Sequence, residues 1–478
     1  MSLRNTQVEN RFLGQFKTDE AGLLATVHDA LLGADDGELY VEFDETESLV
    51  LRDGKIESPC FSPMQGFGLR RVKGTQTGYM KSDVFDLGIL RSLGKDMQTI
   101  FSNDGTYIPA MTTPQTALYI QSTPLTRDLK ERIDLLKAID AYVRRDQRVK
   151  AATVSLVGRN CEVMIARPER LVSEIRPIVR LNMEAIVTNG KDSVSVNFGF
   201  GGRKRYDDLF DPAVWQKHAD KMLADATALL SAKPCPAGQM PVVLASGWAG
   251  VILHEAFGHS LEADGVWQQT STFKDSMGQQ IASPLVTVVD NGTIPNRRGS
   301  LSFDDEGTPT QRTVLVENGI LKTFMHDRIS ARILGANLTG NGRRDGYRCR
   351  PIPRMTNTFM ENGASDPKDI IAQTEHGLYA EVLGGGQVDT ASGKFVFEVK
   401  LSWLIENGKI TSPIKGATLT GTGGKALLAV DMVGNDREID PGIGTCGKNG
   451  QSVPVGVGQP TFRIKAGGLT VGGTEVSG

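Results

Sequence analysis

Three runs between Val149 and Gly202, VKAATVSLVGRNCEVMIAR, SEIRPIVRLNMEAIVTNG and KDSVSVNFGFGG, alternate apolar and polar residues and are separated by Gly and Asn. Successive side chains of a strand point to opposite faces, so alternation of this length commits the segment to adjacent strands of one sheet. The earlier runs extend it: ELYVEFDETESLVLRDGKIES reads as paired strands and GFGLRRVKGTQTGYMKSD as a Gly-turned hairpin, the beginning of an antiparallel sheet. Helical spacing marks residues 19 to 33, Leu87 to Met97, Asp128 to Arg145 and Pro212 to Ala232. Asp128 to Arg145 offers Leu129, Ile133, Leu136, Ile139 and Val143 to a core, while His28, Trp215 and His218 read as packing or surface residues.

Composition shifts at SAKPCPAGQMP, which no helix can cross, and the chain is expected to divide there into an N-terminal α/β domain, 1–235, and a C-terminal β-rich domain, 236–478. The fold class is α+β, with a barrel- or sandwich-like second domain. The chain holds 54 glycines, and in this second domain runs such as PLVTVVDNGT, TVLVENGILKTFMH and KFVFEVKLSWLIENGKITS give short strands, with hairpin turns at Asn291, Asn318 and Asn407. Two helical breaks, Asp327 to Leu334 and Asp366 to His376, interrupt them.

A net charge of −3 without a Lys/Arg block leaves no electrostatic footprint for nucleic acid or an anionic membrane. No stretch reaches the ~18 uncharged apolar residues of a membrane span, and the opening residues lack a signal-like apolar segment. Five scattered cysteines do not describe a disulfide framework. A cytoplasmic, reducing location is expected.

Chemistry concentrates at His254-Glu255-Ala256-Phe257-Gly258-His259, which follows the apolar run MPVVLASGWAGVIL. Two neutral imidazoles ligate zinc well, and an adjacent carboxylate can take a proton from a water whose pKa the metal lowers to about 7. The spacing is one residue longer than in H-E-x-x-H helices. On a regular helix residues five apart diverge by about 140°, against about 40° for four apart. A local widening is therefore expected, most simply a π-bulge near Ala256 to Gly258, with Gly258 supplying backbone tolerance.

Zinc needs a further protein ligand, for which Cys446, Glu262, Asp264 and the remaining histidines are candidates. Glu262 could equally orient an imidazole through its second nitrogen. Cys446 lies in a Gly-rich loop, GIGTCGKNGQSVPVGVGQP, where a thiolate would be a strong soft ligand. Arg343 and Arg344 are conceivable oxyanion donors or substrate-carboxylate clamps, although a polar loop also suits structural or solvated arginines.

The stretches HEAFGHSLEAD, DDEGTP, GNGRRDGYRCRPIPRMTNTF, GGGQVDTASGKFVF and MVGNDREIDPGIGTCGKNGQSVPVGVGQPT resemble the TldD/PmbA family, tightly after about residue 240 and loosely before it. The resemblance implies a cytoplasmic zinc metallopeptidase in which His254, His259 and Cys446 bind Zn²⁺ and Glu255 is the catalytic base. It further implies a PmbA/TldE-like homologue as heterodimer partner, or a homodimer, and unfolded peptides or leader peptides as substrates. A different class remains open: a non-enzymatic peptide-binding or topoisomerase-modulating protein, or one whose zinc is structural and takes Glu262 or Asp264 as fourth ligand.

Overall fold

The computed structural model describes residues 4–100, 127–389 and 391–473. Its first half builds α1 (Thr6–Phe16), α2 (Glu20–Ala30), β1 (Asp36–Arg52), β2 (Lys55–Ile56), β3 (Cys60–Lys73), β4 (Gln76–Ser82), α3 (Leu87–Ile100), α4 (Leu129–Val143), β5 (Val149–Arg167), β6 (Arg170–Thr188), β7 (Ser193–Gly202) and α5 (Pro212–Ser231). The strands form one antiparallel sheet in the order β4-β3-β1-β5-β6-β7, with β2 folded back on β1. The pattern does not anticipate α1, whose start is capped by the Asn5 side chain accepting from the N–H groups of Gln7 and Val8.

Alternation along β1 sorts its side chains between two very different faces. Leu39 and Val41 pack beneath α1 to α3 with Phe12, Leu23, Val27 and Leu69. Farther along the sheet, α4 and α5 bury Leu136, Ile139, Trp215 and Met222 against Leu156, Leu181 and Met183. Tyr40 faces the other way, into a cluster with Cys161, Val163, Phe303 and Tyr347 of the second half. Polar residues of that face are buried too. Arg70 pairs with Glu38 and Glu306 at 2.6 Å each, Arg344 with Glu38 at 2.7 Å, and Arg328 with Asp36 at 2.9 Å. Three of these buried pairs, Arg70–Glu306, Arg344–Glu38 and Arg328–Asp36, span the two halves, and removing one partner typically costs about 3–5 kcal/mol.

After α5 the chain enters the second half, where Lys233–Pro234 pairs in parallel with Ile414 and Lys415. A nine-stranded sheet there centres on Val242–Leu244, His376–Asp389 and Lys394–Glu406, and a six-stranded sheet includes Val288–Asn291, Arg312–Glu317, Asn357–Met360 and Gly456–Gln459. Antiparallel pairs dominate, but Val242–Leu244 with His376–Asp389 and Asn357–Met360 with Gly456–Gln459 run parallel. The mixed α/β architecture thus has several sheets. A short helix, α6 (Val251–Ala256), packs against strands of both large sheets and buries Ile252, Leu253 and Ala256 in their shared core.

Turn chemistry explains part of this half. Asn318 and Asn407 adopt φ of 48° and 52°, each followed by a positive-φ glycine, and close the hairpins expected of them. Asn291 does not. Its side chain accepts the N–H of Thr293, and the strand that pairs with Val288–Asn291 begins only at Arg312. The second helical break is also shorter than its pattern, covering Pro367–Ala372, with His376 opening a strand. Among the described residues, no helix is long and apolar enough to cross a membrane.

Candidate metal centre

α6 ends three residues before His259, too early to carry both imidazoles. Phe257 donates its N–H to the Leu253 carbonyl at 3.1 Å, then leaves helical geometry with φ −133° and ψ −49°. A separate 3-10 turn, Gly258–Leu261, follows and holds His259. The expected π-bulge is therefore replaced by a break, which swings His259 back towards His254 by changing the direction of the chain. The ring centroids lie 5.1 Å apart and nearly perpendicular. Gly258 is required for a different reason from the one its position suggests: its φ is not positive, and a Cβ there would stand 2.3 Å from Sδ of the buried Met355.

Cys446 reaches the imidazoles from a hairpin rather than an irregular loop. Strands Thr445–Lys448 and Gln451–Pro454 pair across Asn449-Gly450, whose φ values of 51° and 73° suit a type I′ turn. The Cys446 Sγ lies 3.3 Å from His259 Nε2, and the ligand atoms of His254, His259 and Cys446 all fall within 4.8 Å of one another. Tetrahedral zinc, with bonds of about 2.3 Å to sulfur and about 2.0 Å to nitrogen, sets such donors about 3.5 Å apart. The donor set fits zinc in both chemistry and spacing. Burial raises the Cys446 thiol, but His254 and His259 beside it bring it down to about 4, so the sulfur is a thiolate at neutral pH. Among the described residues, His254 Nδ1 is buried without a hydrogen-bond partner.

The acidic residues take separate places. Glu262 accepts from His259 Nδ1 at 2.9 Å and pairs with Lys448 at 2.9 Å; burial opposes its ionisation, yet Lys448 and His259 hold its carboxyl down at about 2. Asp264 holds the same Lys448 at 2.7 Å. Both are thus engaged on the far side of the His259 ring and the hairpin, outside the group of three ligand atoms. Arg354 braces the hairpin from behind, donating to the Cys446 carbonyl at 2.6 Å. Glu255 is partly exposed, with Oε2 3.8 Å from His259 Nε2. It opens onto a cavity of about 550 Å³ that is also walled by Thr270, Gly386, Gln387, Val388 and Lys448.

The other sequence candidates are elsewhere. His28 and His376 are exposed, His218 stacks on Phe198 at 4.5 Å, and His326 is buried beside Ser330. Arg343 and Arg344 do not line this cavity; they are buried where the two halves meet.

Residues 237–473 match the family model of the PmbA/TldA metallopeptidase C-terminal domain, and residues 37–94 match domain 1 of the same family. A metalloprotease TldD homolog of Haemophilus influenzae is 44% identical over 92% of this chain and 93% of its own length. The chain belongs to the TldD/PmbA metallopeptidase family. Metalloprotease MJ0996 of Methanocaldococcus jannaschii is 35% identical over 90% of this chain and 96% of its own. The crystal structure of TldE from Thermococcus kodakarensis shares the fold, with a TM-score of 0.74 over 94% of this chain and 99% of that one at 17% identity.

Within this TldD/PmbA chain, the pattern HExxxH does not disclose the support around the ligands, namely Lys448, Arg354 and the wall at Gly386–Val388. One signal was available. Lys448 lies two residues after Cys446, so on a strand it shares the thiol's face, and the Asn449-Gly450 pair announces that strand's turn.

Proposed function

We propose that this TldD-family metallopeptidase is zinc-dependent, with His254, His259 and Cys446 as the metal ligands and Glu255 as the general base of peptide hydrolysis. The observation that carries the proposal is the convergence of those three ligand atoms beside a partly exposed carboxylate. When bound, zinc supplies Lewis acidity that lowers the pKa of water and polarises a peptide carbonyl. Glu255 takes the proton from the attacking water and returns it to the leaving amine. Glu262 fixes the His259 ring through Nδ1, and Lys448 holds Glu262 in turn.

The proposed substrates are unfolded chains or flexible leader peptides. Support comes from the strand His376–Asp389: on the side where Leu378–Ala380 pair with Val242–Leu244, no further strand follows among the described residues, and the Trp248 indole donates to the Leu383 carbonyl before the strand reaches Gly386. Its Gly386, Gln387 and Val388 border the cavity that holds Glu255. An extended peptide can add to such an edge through main-chain hydrogen bonds, which select for disorder over sequence. The proposed partner is a PmbA/TldE-like homologue, with a second copy of this chain as the alternative, in the cytoplasm, where reducing conditions preserve Cys446 as a thiolate. The residues 236–478 would then act as the metallopeptidase domain carried by an N-terminal domain, 1–235.

The test is metal analysis joined to cleavage of one polypeptide in folded and destabilised forms, with and without the co-purified partner. Stoichiometric zinc, preference for the destabilised form and loss of cleavage in Glu255→Gln are expected. Full cleavage by Glu255→Gln would remove the mechanism, and equal rates on both forms would remove the substrate class.

A further inference from the structure

A second cavity lies where the outer face of the N-terminal sheet meets the C-terminal half, distinct from the metal centre. It measures about 30 Å³, and Arg159, Arg176, Arg203, Arg343 and Arg344 all contribute to its wall. Glu42, Asp305 and Asp345 are the acidic residues there, so formal charge on the wall is five positive against three negative. Most of these arginines are matched: Arg159 meets Asp44 and Glu42, Arg176 meets Glu174 and Asp305, and Arg344 meets Glu38.

Arg343 has no such carboxylate among the described residues. It is 2% exposed, and its terminal nitrogens donate only to the carbonyls of Met355 and Pro454. Its Nε has no hydrogen-bond partner among the described residues. Two further arginines nearby are held by neutral acceptors as well. Arg298 donates to the Gly444 carbonyl and Thr445 Oγ1, and Arg180 to Asn182 Oδ1 and the Ile443 carbonyl. A buried charge needs a counter-charge; burial, together with Arg203, Arg354 and Arg176, outweighs the attraction of Asp305, which does not pair with Arg343, and pushes the guanidinium down to about 9. Burial also pushes the Glu42 carboxyl up to about 7, which weakens the negative side of the balance.

We propose that this cavity binds a small inorganic oxyanion of the phosphate or sulfate class, with Arg343 as its principal donor. Guanidinium forks match oxyanions through paired hydrogen bonds. A single water requires ~10–15 Å³ of such space, so the volume takes about two or three water-sized groups, enough for a compact anion whose bonded oxygens sit closer than separate waters do, and is far below the ~300 Å³ of a typical organic-ligand pocket. A cation is the rival occupant, because Glu42, Asp44 and Cys161 lie close enough together to share one. Arg159 already stands against both of those carboxylates, and four more arginines border the same space, so a cation is repelled. The anion bears on the metal centre through the chain: Arg343, Arg298 and Arg180 hold Pro454, Gly444 and Ile443, the segments that flank Cys446 in its hairpin.

The test titrates the full-length, metal-loaded protein, freed of phosphate and sulfate, with inorganic phosphate, with sulfate and with sodium chloride at matched ionic strength, by calorimetry and thermal unfolding. One saturable equivalent of phosphate or sulfate is expected, with chloride flat. Arg343→Gln should weaken binding about tenfold or more, the worth of a charge-assisted hydrogen bond. Glu42→Gln, which removes a negative charge from the wall, should strengthen it. Selenate in a crystal should give its anomalous peak in this cavity rather than beside His254, His259 and Cys446. The proposal is overturned by no saturable binding below ~10 mM, by chloride acting as phosphate does, by unchanged affinity in Arg343→Gln, or by a selenate peak elsewhere. Should Arg343→Gln fail to fold, Glu42→Gln decides alone, and unchanged or weaker binding overturns the site.

Discussion

Replacing Glu262 by Gln keeps the shape of the side chain beneath His259 and deletes its charge. Glu262 is 1% exposed and contacts His259 Nδ1 and Lys448 Nζ at 2.9 Å each, with Arg354 Nε at 4.0 Å. Its carboxyl falls from an ordinary 4.5 to about 2 on folding, against the opposing effect of burial and chiefly because of Lys448 and His259. At roughly 1.4 kcal/mol per tenfold, that lowering corresponds to about 3–4 kcal/mol of stability at neutral pH. An independent route agrees: breaking a buried pair costs ~3–5 kcal/mol, and Lys448 keeps Asp264, which favours the lower end. The sign follows from a depressed folded pKa. The contribution is complete above pH 4.5 and is lost as the pH falls towards 2. Urea unfolding of metal-free protein across that range should therefore show Glu262→Gln weaker at pH 7 and nearly level with wild type at the acid end. Competition with a chelator should in parallel show metal affinity reduced about 10- to 100-fold, the usual effect of removing a ligand's hydrogen-bonding partner. A loss below ~1 kcal/mol at pH 7, the net worth of an ordinary hydrogen bond, together with unchanged metal affinity would refute the reasoning.

Cys446→Ser should lose stoichiometric zinc by metal analysis, whereas Ala at Cys60, Cys161, Cys235 or Cys349, none of which approaches the two imidazoles, should retain it. Glu255→Gln should keep its metal while cleavage falls by about 10²–10⁴, the range for a lost general base. Gly258→Ala should cost about 1–3 kcal/mol in chemical denaturation because the new methyl meets Met355, and the loss should shrink in a double variant with Met355→Ala. Gly250→Ala should destabilise at least as much, since its Cβ would fall 2.8 Å from the backbone of Gly458, which has no side-chain freedom with which to yield.

Local chemistry determined what could be read from the sequence. Alternation over 149–202 specified strands because side-chain direction repeats every second residue, and Asn318 and Asn407 specified hairpins because they and the glycine after them accept positive φ. The HExxxH stretch pointed to a metal site for a similar reason, since imidazole and carboxylate carry their reactivity with them, and the structure brings its two imidazoles together with Cys446. Tertiary structure decided the rest. Nothing local distinguishes a π-bulge from the break at Phe257, which depends on how α6 and the following 3-10 turn pack around Met355. The polar positions of β1 look like a solvent face in sequence, yet Glu38 and Glu42 are buried because the second half of the chain covers them. Arg343 and Arg344, adjacent in a polar run, are buried at that same junction. Cys446 meets His259 across a sequence separation of 187, a contact that only the stacking of two sheets around α6 can create. Period and turn type follow from neighbours in the chain, whereas what covers a face, and which distant ligands converge, follow from burying apolar surface throughout the molecule.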